Sequence, residues 1–250
     1  MKQQRKILPL LGALLATFAA WRWQIAEHWS VLAAGVLLIM ACLLLFGTFR
    51  QTRATGEYLL AFALLGMMAL LVPAWAVLIP VLLLGCTLLQ SLSPRAFLAS
   101  LIGLATPLWI LFGALFVLDR QYHFQFITNR FFRFYAIDYT SLTVPQLGAL
   151  ALMAVGGIPA LVRFPQTAHL LRTHIRVRYL FLVCLFVGAL LYLLLQPTRF
   201  DVLIPLLLMV PAFFFGEEWR LTKTHWKEKT YHVVLLLLLG AYLSLPLWIS

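Results

Sequence analysis

Residues 58–92 run for 35 positions without a single charged side chain. A chain can carry such a stretch only where water is absent. Inside a bilayer every backbone N–H and C=O must be bonded within the protein, which favours helices. As one helix the run would be roughly 50 Å long, against about 30 Å of hydrocarbon. Pro73 lies near its middle, followed by Ala74 and Trp75. Proline removes a backbone donor and breaks a helix interior. The stretch therefore predicts two tight helices, 58–72 and 74–90, joined by a minimal turn.

The rest of the chain has the same character. Of its 250 residues 63% are hydrophobic and 11% charged, where a soluble domain has about half and about a quarter. Runs 29–49 and 96–118 are long enough to cross a membrane, and four more lie at 144–161, 179–195, 202–215 and 231–249. A first run at 7–21 is short, as is 202–215; both need local thinning or burial among neighbours. The expectation is an all-α fold: a polytopic transmembrane helical bundle of about nine spans, forming a single integral membrane domain over 1–250.

Charge arbitrates between eight spans and nine. Splitting 58–92 places fourteen of the nineteen Lys and Arg in alternate gaps on one side and five on the other. Leaving it whole gives nine against ten. Only the split obeys the positive-inside rule, which sets the N-terminus in the cytoplasm and the C-terminus outside. The net charge of +11 flanks apolar runs rather than forming a separate patch, so it reads as membrane-surface charge and not a nucleic-acid site. Lys2, Arg5 and Lys6 before the run 7–21 resemble a signal peptide. Trp21, Arg22 and Trp23 read as an interfacial belt, so an uncleaved first helix is expected.

Ionisable groups within a membrane usually mark ion paths, proton relays or substrate sites. All eight acidic residues, Glu27, Glu57, Asp119, Asp138, Asp201, Glu217, Glu218 and Glu228, lie at or beyond span ends. That weighs against pumps, proton-coupled transporters and enzymes with buried carboxylates. Cys42, Cys86 and Cys184 sit singly in apolar runs with no metal-ligand spacing and read as buried small hydrophobes. No metal and no cofactor is expected. Pro80, Pro107, Pro159, Pro205 and Pro211 fall in or near spans. Ala99 with Gly103, and Gly156 with Ala160, have the small-xxx-small spacing that lets helix backbones approach.

The segment 119–143 is unusual. It carries eight aromatics. Tyr122, Phe124 and Phe126 alternate with polar residues; after Ile127 the period turns helical, with Phe131, Phe134 and Tyr135 on one stripe. Arg130 and Arg133 lie on a neighbouring face. This reads as an element in the outer interface, with Tyr122, Phe124, Phe126, Phe131, Phe134 and Tyr135 as anchors. A lipid- or phosphate-binding site at Arg120, His123, Arg130 and Arg133 is one reading, because a guanidinium fork holds phosphate oxygens bidentately. A membrane-hugging connector is the other. On the opposite side, residues 165–178 carry His169, Arg172 and Arg176 at helical spacing with Arg178 adjacent. They are expected to contact anionic headgroups, as are Lys223 and Lys227.

Glu217 and Glu218 after Phe213, Phe214, Phe215 and Gly216 resemble the paired glutamates of membrane-embedded CAAX-type proteases. Arg220 follows by two residues instead of four, and no Phe-xxx-His partner appears, so that activity is not expected. No catalytic residue is assigned. The stretch Ser93-Pro94-Arg95-Ala96-Phe97-Leu98-Ala99-Ser100-Leu101-Ile102-Gly103-Leu104-Ala105-Thr106-Pro107 resembles a segment in an uncharacterised family of small multi-pass inner-membrane proteins of Bacteroidetes bacteria. The similarity is firmest over 93–133. It implies a bacterial inner membrane with the outer side facing the periplasm, and it carries no activity. The expected function is a non-enzymatic subunit or accessory factor of a cell-envelope complex, with membrane lipids and other envelope membrane proteins as partners and no nucleic acid. The competing expectation is an enzyme or flippase-like protein acting on a polyprenyl-linked glycan or phospholipid-like substrate at the periplasmic interface.

Overall fold

A computed structural model describes residues 29–51, 53–119 and 173–197, together with Leu203 and Leu207. The chain divides into two compact units, one formed by 26–137 with 173–202, the other by 1–25, 138–172 and 203–250. The helices below belong to the first. Of the second, only Leu203 and Leu207 are described, both helical and buried. The expected spans 7–21, 144–161 and 231–249, the span 202–215 apart from Leu203 and Leu207, and nearly all of segment 119–143 lie outside the described residues.

The described residues of the first unit form five α-helices: α1 Trp29–Gly47, α2 Thr55–Leu71, α3 Leu78–Leu88, α4 Pro94–Val117 and α5 Thr173–Leu195. No strand occurs among the described residues. The 35-residue uncharged run is not one helix. Val72 is extended (φ −132°, ψ 87°) and Pro73 opens a 3-10 turn, Pro73–Val77, before α3. The physical cause is the proline ring, which disfavours the helical conformation at the residue before it. Pro80 is tolerated because it sits in the first turn of α3, where the N–H lacks a helical partner anyway.

The chain doubles back at that turn. The Tyr58 hydroxyl near the start of α2 lies 2.7 Å from the Ser91 hydroxyl beyond the end of α3. Thirty-three residues separate them, a distance of about 50 Å in a continuous helix. Ser93 then caps α4, its hydroxyl accepting from the Ala96 N–H at 3.2 Å, with Pro94 at the first position. The C-terminal caps lack glycine: Arg50, Gln90 and Asp119, just past α1, α3 and α4, all adopt positive φ, the left-handed closure usual at helix ends.

Packing pairs α1 with α2, α2 with α4, and α3 with α5. Two of these crossings depend on glycine. A Cβ on Gly103 would run into the Leu59 carbonyl oxygen, and one on Gly66 would lie 2.9 Å from that of Leu104. The second crossing seats Gly85 against the Phe181 ring and Gly188 against Val81. The order of contacts makes α2 and α4 parallel and α3 and α5 antiparallel. Pro107 stays within α4 and is buried beside Gly66. Trp75, Phe62 and Leu65 fill the interior.

α4 and α5, of 24 and 23 residues, are long and apolar enough to cross a membrane; the other helices are apolar and shorter. α5 begins at Thr173, so Arg176 and Arg178 lie in the same continuous helix as the apolar run 179–195.

Candidate functional site

Every described helix has one terminus at the same end of the unit. The backbone N–H of Arg50, just past α1, donates to the Leu89 carbonyl near the end of α3 at 3.2 Å. The Phe46 and Phe181 rings meet edge to face at 5.3 Å. The start of α5 thereby joins the end of α1. This convergence gathers Arg50, Arg53, Arg95, Arg176 and Arg178 around one polar end.

Beneath the arginines lies a buried hydroxyl chain. The Thr48 hydroxyl donates to the Leu45 carbonyl at 2.8 Å. Its remaining capacity is to accept, and the Ser91 hydroxyl stands 3.1 Å away. Ser91 donates there and accepts from the Tyr58 hydroxyl at 2.7 Å. Each hydroxyl has a single O–H to donate, and the Tyr58 hydroxyl also meets the Cys86 thiol. The three residues are almost completely buried, Tyr58 at 0%, Thr48 at 0% and Ser91 at 2%. Unpaired, each would cost roughly 1–3 kcal/mol. The network straps α1, α2 and the α3–α4 turn together. No group of three or more His, Cys, Asp or Glu that could hold a metal ion occurs among the described residues.

Arg178 is half-buried. Its Nη2 donates to the Phe46 carbonyl at 3.0 Å, and the guanidinium lies 5.7 Å from the Phe46 ring centroid. A cation on the last turn of α1 suits the negative end of the helix dipole. The Nε is buried with no hydrogen-bond partner. Arg176, two residues earlier, is exposed. Of the candidate binding and anchor residues named from the sequence, only these two are described. Arg120, His123, Arg130, Arg133, Tyr122, Phe124, Phe126, Phe131, Phe134, Tyr135, Arg172, Lys223 and Lys227 lie outside the described residues.

The hydroxyl chain escaped sequence reasoning, which weighed charge and not buried hydroxyls. A signal was present: a hairpin folded at residues 73–77 brings position 58 opposite a position near 91. Both carry a hydroxyl.

The fold and this end define a helical unit compatible with residence in a membrane. No family model matches the chain, nor does any curated protein or any solved structure.

Proposed function

We propose that this is a multi-pass protein of the bacterial inner membrane, with about nine spans, a cytoplasmic N-terminus and a periplasmic C-terminus. Its role is that of a non-enzymatic subunit or accessory factor in a cell-envelope complex. The observation that carries this reading is α4. One face, with Ala96, Ser100, Gly103 and Pro107, is buried; past Arg95 in the first turn the remaining residues are apolar except Thr106, and most are open. Trp109 is 81% exposed, Ile110 68% and Val117 83%. A helix apolar on all sides belongs in hydrocarbon or against other helices. The end of α4 and the start of α5 also lie at opposite ends of the unit, the parity that one crossing by 144–161 demands.

A photoreactive amino acid at position 109 or 110, used in intact membranes, tests the assembly role. A discrete protein adduct is expected. Adducts to lipid alone at both positions would remove the subunit reading.

The competing reading, a site for a phosphate-bearing lipid or glycan carrier, draws on Arg130 and Arg133 in the aromatic segment. If they clamp phosphate, Arg130→Gln with Arg133→Gln abolishes activity or lipid retention at unchanged protein level. If the segment is a connector, lipid retention survives the double substitution, and any defect follows loss of a co-purifying protein.

A further inference from the structure

We propose that the basic end of the first unit is a seat for the phosphate headgroup of an anionic phospholipid, held by Arg50, Arg53 and Arg95 with Arg176 at its margin. The inference rests on the membrane-embedded reading above. Two loops form the floor. The loop after α1 and the turn before α4 are tied by the Arg50 N–H to the Leu89 carbonyl and by the Thr48 and Ser91 hydroxyls. Arg50 and Arg53 stand on the first, and Arg95 opens the helix that follows the second.

All four guanidinium groups are on exposed residues. Glu57 is the one carboxylate of this end among the described residues, and none of the four is ion-paired among them. The Arg50 guanidinium lies 5.4 Å from the Phe49 ring centroid, a stacking that limits its rotamers before any ligand arrives. Cytoplasmic placement of basic residues accounts for which side they occupy. It does not require arginines from separate gaps to converge at one end.

What favours a lipid over an acidic peptide is the surface one turn further along the helices. Leu60 is 51% exposed, Leu98 58% and Phe97 41%. The surface thus has two zones, a rim of forked donors above an apolar skirt. A phospholipid fills both, its phosphate oxygens taking bidentate bonds and its acyl chain lying on the leucines. A soluble acidic segment would match the rim alone.

Native mass spectrometry of the full-length protein, after equilibration with mixed phosphatidylethanolamine and phosphatidylglycerol, reads the seat directly. The wild type is expected to retain phosphatidylglycerol selectively. Arg50→Gln, Arg53→Gln and Arg95→Gln together are expected to weaken that retention about a hundredfold, with each charge worth about fivefold. Melting temperature should be unchanged, because these side chains are exposed. Should the triple variant fail to fold, Arg53→Gln and Arg95→Gln alone are each expected to weaken retention about fivefold. Unchanged phosphatidylglycerol retention in a folded variant overturns the proposal. So does a wild type that retains both lipids equally, or inorganic phosphate that displaces the bound lipid at equal concentration. A chain that washes off membranes in alkaline carbonate instead fails the membrane reading itself.

Discussion

Gly103→Ala destabilises the protein by about 1–3 kcal/mol, the usual cost of overpacking, whereas Gly113→Ala on the same helix leaves it unchanged or more stable. Both substitutions gain up to about 1 kcal/mol of helix propensity. They differ in what the added methyl meets. At 103 it runs into the Leu59 carbonyl oxygen and lies 3.1 Å from the Ala63 nitrogen; at 113 nothing lies within 4 Å. Backbone atoms cannot turn aside as a side-chain tip does, so α2 and α4 must separate. Their separation strips contact from Gly66 and Pro107, which meet at the same crossing. Without a strong hydrophobic drive between helices in lipid, close backbone approach is a main source of association. Gly103→Val enlarges the effect. Equal melting of the 103 and 113 alanine variants in detergent would show that this crossing does not hold the unit together.

Reporter fusions give the second large effect, because their readout is nearly all or none. A periplasm-active enzyme fused after Arg53 should be inactive, and fused after Asp119 or Ser250 it should be active. The 119 junction is decisive. With a hairpin at Pro73, α4 starts at the basic end and finishes at the other; with one continuous span, α4 would run the opposite way. The Tyr58 to Ser91 hydrogen bond, at 2.7 Å, allows only the hairpin. The basic residues agree, since Arg50, Arg53 and Arg95 come to one end. An inactive 119 fusion would mean that the membrane-inserted chain does not adopt this hairpin.

Some of this architecture was legible from the chain alone. Pro73 had to interrupt an uncharged run too long for the bilayer, because the proline ring and the missing N–H act locally and need no partner. Gly103 was recognisable as a close-approach residue from its spacing with Ala99. Its partner, the Leu59 carbonyl, was not, since many helices could have met that face. Hydropathy alone opens the expected span at Tyr179, yet the helix runs over Thr173–Leu195. Hydropathy sees the edge of the apolar run, while the helix continues through Arg176 and Arg178 because arginine is a good helix former.

Arg178 shows the same division. Its charge marked a side of the membrane, and nothing in the sequence joined it to Phe46, 132 positions away. The hydroxyl chain was legible only in part: the hairpin sets Tyr58 opposite Ser91, but nothing local joins Thr48 to them.

By itself, then, the sequence determined that apolar helices were to be expected, where its long uncharged run must break, and how its basic residues alternate between gaps. These are properties of single segments and their solvent preference. Only the tertiary structure decided which helices meet, that glycines set two of their crossings, and that arginines from separate gaps share one end. Those depend on complementary shapes between segments far apart in the chain, which no local pattern encodes.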